Sequence, residues 1–286
     1  MSKMSVGNTK RKKTLLQFLF ETIAIVFFGI IFIVPFYFII VNSLKTRTEA
    51  AKMSIAWPET IQFWSNVIEV LNARDGMLFR AFINSTVITT FSVIILVIIC
   101  SMAAFVLQRR KEKSSKYLSL LFLSGLMVPP AIVPTIWVME LLGIFKTMHG
   151  IILIMVAITI SVTIILYSGF IASIPQQIDD AAIIDGCSGW RLFFQIIFPL
   201  LKPIHSTVII LQSVSIFNDF VHPLYFFPGA KNATVQLTLY NFMSMFNTSW
   251  NLLFTNVLLI TIPPFIVFLI FNKRIVSGMT LGAVKA

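Results

Sequence analysis

The 286-residue chain is 57% hydrophobic, only 12% charged, and has 28 phenylalanines and a mean hydropathy of +0.91. A soluble core cannot bury that much apolar surface, so a water-soluble enzyme is excluded and the bilayer is the expected solvent. The net charge of +11 would suit nucleic acid, but the basic residues cluster beside apolar runs, which favours membrane topology over phosphate binding.

In chain order, a basic arm (1–17) leads into six apolar stretches at 18–41, 81–107, 117–142, 151–171, 204–227 and 252–271. Each approaches or exceeds the roughly 20 residues that span a bilayer at about 1.5 Å rise per residue. The first is too long for a signal-peptide core and no small-residue cleavage site follows it, so it is expected to stay as a helix. The lack of period-two alternation excludes barrel strands. The chain is therefore expected to be an all-α integral membrane protein of six transmembrane helices. Its parts would be the arm (1–17), a six-helix transmembrane domain (18–272) and a tail (273–286). Fifteen of the 22 Lys and Arg residues lie on the arm, the connection around Arg109–Lys116, Arg191, Lys202 and the tail. The positive-inside rule then places both termini and residues 172–203 in the cytoplasm. Pro129, Pro130 and Pro134, with Pro263 and Pro264, interrupt two of the stretches, as hinges or as static kinks. Three N-x-[ST] matches, at Asn84, Asn232 and Asn247, are read as chance occurrences of a short motif.

Residues 175–203, PQQIDDAAIIDGCSGWRLFFQIIFPLLKP, break the apolar pattern. Ser173 and Gln176 fit a capping box, and a helix over 175–185 follows. It would align Ile178, Ala181, Ala182 and Asp185 on one face, and Gly186 would end it in the left-handed region. A second piece would carry Trp190, Phe193, Phe194 and Ile197 on one face before Pro199 and Pro203. Two readings fit: a docking knob whose Asp179 and Asp180 meet a basic rim, or an interfacial re-entrant helix.

Asn218 and Asp219 lie inside an apolar stretch, where a carboxylate costs about 2.5–3.5 kcal/mol on insertion scales. They would line a pathway or clasp neighbouring helices. His149, His205 and His222 are isolated in sequence and read as packing or helix-end residues. The two cysteines form no C-x-x-C pair, no metal-ligand cluster is visible, and no phosphate-cradling G-x-x-x-x-G-K-[ST] occurs. No catalytic residue is assigned, and any ATP site belongs to another polypeptide.

Asp180-Ala181-Ala182, then Asp185-Gly186, then the aromatic stretch ending at Pro199 resemble the EAA loop of bacterial ABC importer permeases. Asp180 stands where that family usually has Glu. Asn42-Ser43-Leu44-Lys45, Phe217-Asn218-Asp219-Phe220 and the terminal Ser277–Ala286 extend the likeness to the smaller, six-helix permease of maltose-type carbohydrate importers, which has the type I importer permease fold. The resemblance implies that Asp179, Asp180, Ala181, Ala182, Ile184, Asp185 and Gly186 form a coupling helix seated in a cleft of an ATP-binding subunit. It also implies that Gly282, Ala283, Val284 and Lys285 reach the interface between two ATPases. The implied partners are a second homologous permease, two cytosolic ATP-binding subunits that bind ATP and Mg, an extracytoplasmic solute-binding protein meeting the outer loop at 228–250, a carbohydrate (an oligosaccharide) and membrane lipid. No cofactor, metal or nucleic acid is implied for this chain. Two other classes stand beside this reading. An ion-coupled secondary transporter would need intramembrane ionisable relays, for which only Asp219 qualifies. A non-transporting anchor for a cytosolic enzyme would leave the kinked helices unexplained.

Overall fold

The computed structural model describes residues 15–110, 112–129, 131–243 and 248–283, with side chains except at 15–18, 267 and 271–283. Its elements run α1 (Leu15–Ser43), α2 (Arg47–Ala50), α3 (Phe63–Arg109), α4 (Lys113–Ser124), α5 (Ile132–Leu141), α6 (Met148–Ile171) and α7 (Gln177–Ile184). A π-helical segment, Leu192–Ile197, runs into the single turn α8 (Phe198–Leu200), followed by α9 (Lys202–Phe217), α10 (Val221–Phe226), 3-10 turns at Ala230–Asn232 and Gln236–Asn241, and α11 (Trp250–Ala283). Among the described residues α1, α3, α6 and α11 are long and apolar enough to cross a membrane, and the pair Leu192–Leu200 and Lys202–Phe217, bent by 73°, makes a fifth span if counted as one.

Several apolar stretches read as single helices are broken. The run at 117–142 divides into α4 and α5. Gly125 caps α4, and a Cβ there would lie 2.6 Å from Ser161 Oγ of α6, so the chain turns where only glycine lets it approach. Pro129 lies in the gap and Pro134 in the first turn of α5, where a missing N–H is tolerated, while Pro130 falls outside the described residues. The run at 204–227 breaks at Asn218–Phe220 into α9 and α10. α3 begins well before residue 81 and contains an elbow at Arg74, Asp75 and Gly76, all with positive φ. α11 continues past the expected tail boundary at 272/273 through Gly282 and Ala283, whereas Val284 and Lys285 lie outside the described residues.

The main core lies between α3, α6 and the returning segment, with Leu96, Cys100, Ala104, Ile151, Met155, Ile171, Ile197, Leu201 and Val208 fully or almost fully buried. A second cluster joins Val70, Leu78 and Ala81 of α3 to Leu252, Leu253 and Ile260 of α11 and to Ala233 and Val235 of the loop at 228–250. α1 is different. It meets α11 through Phe38 and Phe254 (5.4 Å, edge to face), but its outer face is bare, with Phe20 75% exposed. Lipid tails are as apolar as these side chains, so close packing and interhelical polar bonds, not a hydrophobic driving force, hold the helices together.

The Asn42–Lys45 motif supplies such bonds at the end of the bundle opposite α7. Asn66 of α3 donates to the Ser43 and Lys45 carbonyls (2.9 and 3.0 Å) and accepts from Asn251 of α11 (2.8 Å). The Thr255 hydroxyl also donates to the Ser43 carbonyl at 3.3 Å. The buried Lys45 ammonium turns back to the Ser54 carbonyl (2.6 Å), the Ser54 hydroxyl and Asn42 Oδ1. Glu49 closes a capping box on Thr46, and the backbone N–H groups of Glu59 and Thr46 hold its carboxyl below the usual range. The loop at 228–250 is clamped too: the Asn84 amide donates to the Lys231 and Ala233 carbonyls, and Val235 N–H donates to Ser85 Oγ, each at 3.0 Å. Two of the three N-x-[ST] asparagines, Asn84 and Asn232, are therefore structural, Asn232 donating to the Lys146 and Pro228 carbonyls.

Candidate functional site

α7 stands between α6 and the π-helical segment, in the stretch singled out by sequence. It is shorter than expected, and the capping box does not form, because the Ser173 hydroxyl donates backwards to the Phe170 carbonyl at the end of α6 (2.7 Å). Its C-terminus follows expectation. Gly186 has φ +84°, its N–H donates to the Ile183 carbonyl (3.0 Å), and Cys187 N–H donates to the Ala182 carbonyl (2.9 Å), the paired bonds of a Schellman cap. A Cβ at Gly186 would meet nothing within 4 Å in this chain, so the backbone conformation alone demands glycine.

The face presented by α7 differs from the one predicted. Asp179 points inward: its carboxylate accepts Arg109 Nε at 2.5 Å and the second guanidinium nitrogen at 3.3 Å, and Arg109 also donates to the Ile174 carbonyl (3.2 Å). A bidentate pair of this kind fixes orientation as well as position. It rotates α7 so that Ile178, Asp179 and Ala182 face the body while Asp180, Ala181, Ile183 and Ile184 face out, Ile184 being 86% exposed. Asp185 is also exposed. The acidic pair is thus divided: Asp179 braces the helix against the end of α3, and Asp180 alone is free to meet a cation. Sequence had counted Arg109 only as a topological charge.

The segment after α7 also differs. The π-helical turn buries Leu192, Phe193 and Ile197 and leaves Trp190 and Phe194 outside, stacked on each other at 5.9 Å, so the four residues expected on one face occupy two. A run of ring contacts crosses the segment from Phe105 of α3 to Phe193, Phe198, His205 and Tyr167 of α6, with centroids 5.6, 5.8, 4.3 and 5.4 Å apart. His205, read as an isolated histidine, bonds to both the Tyr167 hydroxyl (2.7 Å) and the Phe198 carbonyl (3.0 Å). Tyr167 lies 38 positions away, a separation with no local sequence signal.

At its far end α9 borders a cavity of about 410 Å³, whose wall includes Thr86 and Thr90 of α3, Ser213 and Phe217 of α9, and Pro263 and Pro264 of α11. Thr89, also on this wall, has a buried hydroxyl without a hydrogen-bond partner. Asn218 and Asp219 follow Phe217 directly, but neither clasps a neighbouring transmembrane helix. Asp219 caps α10 locally, accepting His222 N–H (3.1 Å) and facing the His222 ring at 2.5 Å, while Asn218 Oδ1 accepts from Gln236 (3.0 Å). Among the described residues, no three His, Cys, Asp or Glu side chains converge to hold a metal ion.

Comparison with known proteins places this architecture. Residues 97–281 match the family model described as the binding-protein-dependent transport system inner membrane component. The probable starch degradation products transport system permease protein of Thermoanaerobacterium thermosulfurigenes is 32% identical over 276 residues, covering 96% of this chain and 99% of that one. The melibiose/raffinose/stachyose import permease protein of Bacillus subtilis is 34% identical over 255 residues, covering 88% and 91%. The same fold appears in a bacterial ABC transporter involved in import of the acidic polysaccharide alginate, with a TM-score of 0.79 at 18% identity over 91% of this chain and 98% of that one. The apolar helices, the braced α7 and these matches agree: the chain is a multi-pass membrane protein with the type I ABC importer permease fold, and it belongs to the family of binding-protein-dependent transport system inner membrane components.

Proposed function

We propose that this chain is the membrane permease subunit of an ATP-driven importer of carbohydrate, specifically of oligosaccharides. The sugar-transport relatives support the substrate class. The observation that carries the mechanism is α7, a short helix with an exposed acidic and apolar face, held rigidly on a bundle of apolar helices by Arg109. In this reading Asp180, Ala181, Ile183, Ile184, Asp185 and Gly186 meet one cytosolic ATPase subunit, and Asp179 positions them. Residues 282–285 would reach the ATPase interface. A second, homologous permease, a second ATPase and an extracytoplasmic binding protein would complete the complex, with six spans in this chain and both termini cytoplasmic. ATP and Mg²⁺ would be held by the ATPases, leaving this subunit without catalysis or cofactor.

The sugar would pass along the α3, α9 and α11 face, where hydroxyls of Thr86, Thr90 and Ser213 meet the cavity and Asn218 lies exposed beyond it. Asp219 would act there only by holding the start of α10. The test is uptake by proteoliposomes holding the full complex and its binding protein. Import should require internal ATP and persist when ion gradients are collapsed by ionophores. Gradient-driven uptake without ATP would overturn the proposal in favour of a secondary transporter.

A further inference from the structure

We infer that His205 is a positioning residue that locks the elbow between the coupling segment and α9, so that a displacement of α7 reaches the cavity wall. This inference rests on the coupling reading of α7.

The chain bends by 73° between Leu192–Leu200 and α9. Pro199 and Pro203 flank the bend, and neither has an N–H to donate, so the backbone ladder across it is incomplete. The covalent link at Leu201, with its N–H shared between the Ile197 and Phe198 carbonyls, would by itself leave a hinge. The His205 ring closes it. A carbonyl only accepts, so Nε2 carries the hydrogen bonded to Phe198; Nδ1 is then an acceptor, and the Tyr167 hydroxyl donates to it. One side chain thereby ties the start of α8, the start of α9 and the last turns of α6. The Phe198 ring, 4.3 Å from the imidazole, fills the inner angle of the bend.

Two turns further on, Gln212 donates to Thr163 of α6 at 3.1 Å, repeating the α6–α9 contact in the same register. Arg109 thus fixes α7, and His205 fixes the elbow on the route from α7 to Ser213 and Phe217.

The test uses the complete complex in proteoliposomes, with radiolabelled maltotriose or raffinose, whichever the wild-type complex imports. It measures sugar imported per ATP hydrolysed. An Ala181→Cys reporter in a Cys187→Ser background monitors crosslinking to the ATPase subunit. Tyr167→Phe should lower the import ratio about fivefold, the shift in a two-state equilibrium expected for one lost hydrogen bond, and His205→Leu, which removes two, about 25-fold. ATP hydrolysis and the crosslink should persist. His205→Gln, which keeps a donor and an acceptor on one side chain, should restore much of the ratio. A normal crosslink with an unchanged ratio in both variants, or a loss of thermal stability alone, overturns the lock. Absence of the crosslink in the otherwise wild-type complex overturns the coupling reading and the lock with it.

Discussion

The two ends of the bundle are both secured by buried polar groups, but of different kinds. At the end opposite α7, neutral amides do the work: Asn66 gathers the end of α1, the link from α1 to α2 and the start of α11 by bonding to two backbone carbonyls and to Asn251. At the α7 end, an ion pair and an imidazole hold a short helix and an elbow. An amide network has several bonds that fail together, which suits a fixed anchor. A single fork between Arg109 and Asp179 aims one helix in one direction, which suits an element that must be presented to a partner. The contrast teaches that α7 is oriented by the protein before any partner arrives.

Mutations can break or sharpen this contrast. The largest effect is expected for Arg109→Ala, which strands a buried carboxylate and the Ile174 carbonyl. Removing one partner of a buried pair costs about 3–5 kcal/mol, and the low end applies because the Arg109 side chain retains 15% exposure. The ATPase should no longer co-purify, while the rest of the subunit still inserts. Asp179→Asn should produce the same defect, and a double-mutant cycle should find the two effects strongly non-additive. If Arg109→Ala left ATPase binding intact, α7 would not need its brace.

Asn66→Leu comes next, at about 2–4 kcal/mol for several buried groups left unpaired. Its thermal unfolding should fall, yet sugar imported per ATP should stay at the wild-type value in the molecules that assemble. An uncoupled Asn66 variant would erase the distinction between anchor and coupler. Gly186→Val should follow, at about 1–2 kcal/mol for a left-handed backbone, with transport lost if the partner surface packs closely. Gly186→Asn, which tolerates that conformation, should keep most uptake. The smallest effect is expected for Asp219→Asn, about 0.5 kcal/mol or less, because an asparagine still caps α10 through His222 N–H. A large transport defect without loss of stability would instead return Asp219 to the pathway.

The loop at 228–250 also changes how its own role should be tested. Ala233, Thr234 and Val235 are buried against α3 and α11, so shortening 230–236 would remove core as well as surface. Substitution of the exposed Lys231 and Tyr240 is the cleaner probe of docking by a binding protein.

Length and hydropathy were sufficient for α1, α3, α6 and α11, because a bilayer demands about 20 apolar residues wherever the chain crosses it, but not for the runs at 117–142 and 204–227, which are broken. Glycine at 186 was equally legible, since the left-handed turn that ends α7 is a local steric requirement. The pattern around Asp180-Ala181-Ala182 and Gly186 placed the short helix α7 within a few residues. What the tertiary structure decided was direction. Helical periodicity lists which residues share a face but not which face turns inward, and that choice fell to Arg109, 70 positions before Asp179. Whether an apolar run stays whole was likewise decided by neighbours: the end of α4 follows the close approach of Gly125 to Ser161, and the elbow before α9 is held by Tyr167. Asp219 shows the same limit from the other side, for its apolar surroundings in sequence concealed a local cap on α10. Burial and backbone sterics act on neighbouring residues and leave a trace in the sequence; a hydrogen bond between distant residues exists only once the chain has folded back on itself.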